Sequence, residues 1–272
     1  MGPLAWDPMK VILITGASSG IGRATALELA SSEVTLILVA RRLDLLETLE
    51  AEVRQIGGAA MSIPADLSVS ENVDRMMASA LERHGRIDVL INNAGVGYYG
   101  TVEHMSREVM GEILALNFTA PVIAIQRVLP IMKAKGRGHI INVSSVVGKR
   151  GLPLSGIYCA SKFALGGISE SLRVELREAG IHVSLVYPVA TDTEFFSAVR
   201  RGDVKGNFSP SGYVQPAREV ARAIARCIRR PRAEVYPYRR TRFLVWFNAM
   251  FPTVVDRIMT PYVRERLEAK SK

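Results

Sequence analysis

Residues 9–22 read MKVILITGASSGIG, an apolar run that gives way to a glycine-rich turn. The Val, Ile and Leu side chains of 9–15 make the short continuous apolar pattern of a strand covered on both faces. Gly16, Gly20 and Gly22 follow, directly ahead of a helical pattern at 21–31. Glycines at such a turn let the main chain approach a pyrophosphate closely, and the helix N-terminus aims N–H donors and the positive end of its dipole at the phosphates. The spacing is T-G-x-x-x-G-x-G, not G-x-G-x-x-G. A glycine-rich turn alone is also compatible with a purely structural loop; its place after the first strand of an alternating chain favours phosphate binding.

That alternation runs outward along the chain. Strand patterns recur at VTLILVA (34–40), AAMSIPA (59–65), DVLINN (88–93), GHIINVS (138–144), HVSLVY (182–187) and AEVYPY (233–238). Helical patterns lie near 21–31, 43–56, 70–84, 106–135, 157–179 and 216–229, with Gly57-Gly58, Gly85 and Gly180 as stops. The order predicts an α/β fold, a parallel sheet with helices on both faces. There is no internal repeat, low-complexity tract or linker, so one domain over 1–272 is expected, with a core of about 9–238 and an extension at 239–272.

With 272 residues, 48% hydrophobic and 22% charged, the chain has an ordinary globular composition. Cys159 and Cys227 are far apart, and His84, His104, His139 and His182 are scattered, so no metal site is expected and a reducing, cytoplasmic compartment fits. MGPLAWDPMK at 1–10 lacks the pattern of a secretory leader. The formal charge of +9 is confined to one end: residues 1–216 hold 21 basic and 21 acidic side chains, residues 217–272 hold 14 and 5. A basic balance suits nucleic acid or an acidic membrane, but no nucleic-acid reader motif is present and no nucleic-acid partner is expected.

The second strand pattern ends in Val39-Ala40-Arg41-Arg42. An acid there would bind a ribose 2′-hydroxyl, whereas arginine accommodates a 2′-phosphate. Arg41 is the first candidate and Arg42 the second, which makes NADPH/NADP+ the expected cofactor over NAD(H). Arginines on a solvated turn are the plain alternative.

GIYCASK at 156–162 sets Tyr158 and Lys162 one helical turn apart, on one face. Such a pair can be an ordinary surface pair or a shared chemical site. Taken with TGASSGIG (15–22), NNAG (92–95), Asn117 and Ser145, it resembles the short-chain dehydrogenase/reductase family over about residues 9–230. The resemblance implies a Rossmann-type, doubly wound, seven-stranded parallel sheet in the order 3-2-1-4-5-6-7, and a homodimer or homotetramer. It implies a catalytic set of Asn117, Ser145, Tyr158 and Lys162. Ser145 is preferred over Ser144 because the family's serine precedes a V-V-G-like segment and stands thirteen residues before the tyrosine. It also implies that Gly16, Ser18, Ser19, Gly20, Ile21 and Gly22 meet the cofactor, that Asp66, with Leu67 beside it, contacts the adenine amino group, and that Asn93, Ala94 and Gly95 line the adenosine ribose or brace the central strands. Pro188, Val189, Thr191 and Thr193 fall at the nicotinamide end.

A free tyrosine titrates near pH ~10, so action as a base requires a stabilised phenolate. Lys162 and the oxidised nicotinamide are expected to supply that stabilisation. In reduction Tyr158 would donate its proton, Ser145 would hydrogen-bond the substrate oxygen, Lys162 would also hold the nicotinamide ribose, and Asn117 would hold a water of a proton relay.

Two stretches depart from the family. Pro188-Val189 stands where relatives carry Pro-Gly; Val disfavours φ > 0 and adds a branched side chain near the nicotinamide. Residues 194–215 have the character of a variable substrate loop, with Phe195 and Phe196 as pocket or packing residues. In the tail, FLVWFNAMF (243–251) is too short to span a membrane, and Asn248, Pro252 and Asp256 interrupt it. Packing or oligomerisation, a lid over an apolar substrate, and peripheral contact with an anionic membrane through 239–267 all stay open. The expected activity is that of an NADP(H)-dependent carbonyl reductase or secondary-alcohol dehydrogenase on an apolar substrate. The alternatives are a lipid-directed enzyme acting on steroid, retinoid or long-chain 3-oxo compounds with membrane association, and a non-catalytic NADP-binding regulator.

Overall fold

The computed structural model describes residues 9–204 and 213–268. Its apolar runs form β1 (Lys10–Thr15), β2 (Val34–Ala40), β3 (Ala59–Pro64), β4 (Val89–Asn92), β5 (Gly138–Val143), β6 (Ile181–Val186) and β7 (Glu234–Val235). These make a seven-stranded sheet in the order β7-β6-β5-β4-β1-β2-β3, which is 3-2-1-4-5-6-7 read from the other edge. Every pairing within it is parallel. The helices are α1 (Gly20–Leu29), α2 (Leu43–Gln55), α3 (Ser70–His84), α4 (Arg107–Leu114), α5 (Ala120–Lys135), α6 (Gly156–Glu175), α7 (Ala217–Arg229), α8 (Thr241–Met250) and α9 (Pro252–Glu268).

The strands are apolar throughout because each feeds two cores. Side chains alternate across a strand, so Val11, Leu13, Ile37 and Val39 pack with α3, α5 and α6, while Ile12, Ile14, Leu36 and Leu38 pack with α1, α2 and α7. The chain reverses direction across the sheet between β1 and β4, and a crevice opens beyond the carboxyl ends of those strands, where open α/β sheets bind ligands.

Polar groups pin that crevice. The Thr15 hydroxyl accepts hydrogen bonds from the backbone N–H of Asn93 (2.9 Å) and of Ala94 (3.0 Å), tying the end of β4 to the end of β1. Asn93 answers by donating its side-chain amide to the carbonyls of Thr15 (2.9 Å) and Gly16 (3.2 Å). Below it, the Asn92 amide donates to Asn142 on β5 (2.9 Å), which donates to Ser169 on α6 (2.8 Å), so a buried polar chain links the central strands to that helix.

Several sequence boundaries shift. The last strand shrinks from 233–238 to two residues at the sheet edge, because Pro237 has no N–H for a longer ladder. Helix α6 stops at Glu175, not 179, and the chain turns through 176–180 to Gly180 at φ +68, where a Cβ would lie 2.3 Å from the Gly136 carbonyl oxygen. The helix expected over 106–135 is interrupted by a π turn at 115–119. Residues 107–135 form the one helical stretch among the described residues long and apolar enough to cross a membrane; its α5 portion packs against α3 and the sheet. The loop expected over 194–215 is described to Val204 and from Tyr213; residues 205–212, like 1–8 and 269–272, lie outside the described residues.

Thr15→Val keeps the shape of the side chain but removes the acceptor of two part-buried N–H groups, a loss of up to roughly 1–3 kcal/mol each. Urea denaturation should show a lower midpoint for Thr15→Val and a near-native one for Thr15→Ser; equal midpoints for Thr15→Val and the parent would contradict the role given to this hydroxyl.

Candidate active site

The crevice holds a cavity of about 850 Å³ that runs from the glycine-rich turn past Tyr158 to the edge of α9. Its turn end has the shape of a phosphate cradle. Gly16 and Gly20 have φ of +67 and +55, a conformation open to glycine, and a Cβ on Gly22 would lie 2.2 Å from the Gly16 carbonyl oxygen. Gly22 therefore serves the packing of the turn and does not line the cavity, whereas Gly16, Ser18, Ser19, Gly20 and Ile21 do. Helix α1 begins with Ser19 in an extended conformation and without a side-chain cap, and no acid occupies its first turn. Its orphan N–H groups suit an anion.

The adenosine arm is lined by Arg41, Arg42, Asp66, Leu67, Asn93, Ala94 and Gly95. The Ser68 hydroxyl and amide both donate to Asp66, at 2.7 and 3.0 Å, and hold its carboxyl below the usual range, so it stays an acceptor. The two arginines differ. Arg42 is spent on an ion pair with Glu194 (2.7 Å) and reaches the Ser18 hydroxyl at 3.4 Å, bridging the crevice. Arg41 is exposed at the mouth, with Asp66 nearby. These residues fit a dinucleotide: the glycines leave room for its backbone, the N-terminus of α1 offers donors that suit phosphates, and Arg41 and Arg42 would be the cations on the adenosine arm.

At the other end α6 presents Tyr158 and Lys162, and the 3₁₀ turn at Val146–Gly148 presents Ser145. The tyrosine hydroxyl hydrogen-bonds Ser145. Ser144 is a different case: its hydroxyl donates to the Lys162 carbonyl at 3.2 Å and locks the turn against α6. Lys162 is buried, donates to the Val143 carbonyl at 3.0 Å and stands 5.9 Å from the centre of the Tyr158 ring. Desolvation pushes its ammonium down to about 8. Burial pushes the Tyr158 phenol up, against the opposing Ser145 bond. The expected lowering of Tyr158 by Lys162 is thus absent: packing against Phe195 (5.5 Å between rings) disfavours the phenolate, and the ammonium is engaged by the main chain.

Asn117 is placed beside this group without lining the cavity. Its Oδ1 accepts from Val96 N–H (2.9 Å), and its Nδ2 donates to the Val96 carbonyl (2.9 Å) and to Ser161 (3.0 Å). The side chain is therefore a clasp. Its main chain lies in the π turn, and Pro121, four residues on, has no N–H to offer the Asn117 carbonyl in an α-helix. That proline was the sequence signal for the irregularity.

Pro188, Val189, Thr191 and Thr193 all line the cavity. Val189 needs no positive φ: among the described residues Leu154 is the sole non-glycine with one. Its cost is steric only, a branched side chain on the wall. Phe195 and Phe196 line the same wall. The sequence did not reveal Glu194 as the partner of Arg42, nor Ile258 and Met259 of α9 as cavity residues, since each pairing joins segments far apart in the chain. Among the described residues no group of three His, Cys, Asp or Glu side chains is placed to hold a metal ion.

Comparison with known proteins bears on the family and the fold. Residues 10–203 match the short chain dehydrogenase family. The chain is 32% identical over 253 residues to the uncharacterized oxidoreductase YxnA of Bacillus subtilis, covering 92% of this chain and 71% of that one. It is 37% identical over 190 residues to human retinol dehydrogenase 8, covering 68% of this chain and 60% of the relative. Among solved structures, it resembles a short-chain dehydrogenase from Sphingobium yanoikuyae in complex with NADPH (TM-score 0.78, 31% identity, 91% and 96% of the chains). It also resembles a short-chain dehydrogenase/reductase from Burkholderia phymatum in complex with NAD (TM-score 0.81, 28% identity, 90% and 95%). With matched residues running from β1 to beyond β6, this chain belongs to the short-chain dehydrogenase/reductase family of oxidoreductases.

Proposed function

We propose that the protein interconverts an apolar ketone and its secondary alcohol with NADP(H). The observation that carries this reading is the meeting of Ser145, Tyr158 and Lys162 in the same cavity as the glycine-rich turn and the Arg41-Arg42 pair. Bound nicotinamide would supply or accept the hydride. The chain's residues do the rest. In reduction the protonated Tyr158, favoured by its burial, hands its proton to the carbonyl oxygen, and Ser145 donates a hydrogen bond to that oxygen as charge develops on it. Lys162 holds the cofactor ribose and offers positive charge beside the phenol; the Asn117 carbonyl holds the water through which the proton is replaced.

Preference for NADP(H) rests on the paired arginines and on the lack of an acid after β2. The neighbours support both cofactors, one bound to NADPH and one to NAD. An apolar substrate is supported by Val189, Phe195, Phe196 and Ile258 on the cavity wall. A lipid-directed substrate is the second reading, favoured by the approach of α9 to the cavity and by the likeness to a retinol dehydrogenase. The intact catalytic group speaks against a non-catalytic regulator.

Three outcomes are expected. Tyr158→Phe should bind NADPH and keep the native melting temperature while losing about 10²–10⁴-fold in kcat on a graded panel of ketones; near-normal turnover would refute the assignment. Replacing Arg41 by Ser should raise the KM for NADPH about 10–100-fold with little change for NADH, and Arg42→Ser should do the same if it shares the 2′-phosphate. The third concerns pH. Lys162 has a lowered pKa, so its charge is present below about 8 and lost above it. The kcat/KM for NADPH should therefore fall as pH rises through that value, and the step should vanish in Lys162→Met; a profile flat to pH ~10 would remove Lys162 from cofactor binding.

A further inference from the structure

The α8–α9 pair wears its apolar face outward. Phe243, Leu244, Trp246, Phe247, Met250 and Phe251 recur at the spacing of a single helical stripe. In α7 the corresponding stripe is buried, with Val220, Ile224 and Ile228 in the core. In α8 it faces solvent: Phe243 is 64% exposed, Leu244 61%, Trp246 56% and Met250 57%. The face continues onto α9 through Val254 and Ile258, the latter 67% exposed. Arg239, Arg240 and Arg242, all exposed, stand at the start of the stripe. From 239 to 264 the single acid is Asp256, and it is ion-paired to Arg150 on the body of the fold.

We propose that this hairpin is a seat for an anionic membrane surface, on which α8 lies in the plane of the interface. The charge pattern selects the occupant. A second copy of the chain would bring the same arginines to the shared face and no acid to answer them, whereas anionic headgroups pair with the arginines while the acyl boundary takes the Phe, Leu and Trp side chains. Tryptophan beside arginine is the pairing that suits the headgroup level. Neither helix is long and apolar enough to span: α8 has 10 residues, and α9, with 17, carries Asp256, Arg257 and Arg264. Because Ile258 and Met259 also line the cavity, the seat places the α9 end of the cavity, opposite the Arg41 mouth, at the lipid, so an apolar substrate dissolved in the bilayer enters there without crossing water. This entry route rests on the function proposed above; the seat does not.

The test uses the full chain and sedimentation with phosphatidylcholine vesicles, with and without phosphatidylserine. Binding is expected with phosphatidylserine, weakening as salt rises, and not with phosphatidylcholine alone. The chain has two tryptophans, so in a Trp6→Phe background the emission of Trp246 should shift to the blue on binding. Joint replacement of Arg239, Arg240 and Arg242 by Gln should weaken binding roughly 100-fold. Trp246→Ser with Phe243→Ser should abolish the salt-resistant part. All of these side chains are exposed, so NADPH binding and turnover of a water-soluble ketone should be unchanged. No sedimentation with phosphatidylserine, equal binding by the variants, or a dimer that the same replacements dissolve would each overturn the seat. Vesicle binding without turnover of any ketone would support the seat and defeat the proposed reaction; turnover without vesicle binding would do the reverse.

Discussion

Everything in the crevice depends on one hydroxyl. Thr15 receives the N–H groups of Asn93 and Ala94, so the end of β4 and the turn after β1 are held at one separation. If they drifted apart, the glycine cradle and the adenosine wall would part, and so would Val96, which Asn117 clasps to the helical side. Such contacts hold because the groups are partly withdrawn from water: each N–H so withdrawn must be answered, and each is answered by a specific neighbour. The same economy recurs in the Asn92–Asn142–Ser169 chain, which ties the sheet to the helix that carries Tyr158 and Lys162.

The catalytic end is a compromise between burial and charge. Enclosure raises the phenol and lowers the ammonium, so both groups move towards neutrality. A protonated tyrosine held by Ser145 is well prepared to give up its proton to a developing alkoxide. Working in the opposite direction, it would need positive charge nearby to offset its burial, and Lys162, 5.9 Å from the ring centre, gives one hydrogen bond to the Val143 carbonyl. The cavity's two ends therefore differ in charge: Arg41 and Arg42 are exposed at the mouth, and Lys162 is a buried cation inside.

The far wall of the cavity is built from bulky apolar side chains. Val189 takes a conventional backbone conformation and contributes bulk, Phe195 leans on Tyr158, and α9 closes the far wall while its tie to the body runs through Arg150 and Asp256. The outward apolar stripe of α8 and the cavity residues Ile258 and Met259 of α9 belong to consecutive helices, so the exposed apolar face and the cavity wall adjoin.

The amino-acid sequence by itself determined what depends on near neighbours in the chain. Apolar runs of strand length, the period of the helices, the glycine spacing after β1 and the four-residue step from Tyr158 to Lys162 are all local, and the strand order came with the family likeness. Even locally, some signals were harder to weigh: Pro121 removes a donor from the Asn117 carbonyl, yet an uninterrupted helix over 106–135 was the simpler expectation. Only the tertiary structure decided that Ser144 locks the turn against α6, that Glu194 answers Arg42, that Asn117 commits its amide to Val96, and that burial outweighs Lys162 at Tyr158. Those outcomes turn on desolvation and on hydrogen bonds between segments tens to more than a hundred residues apart, distances that no local pattern encodes.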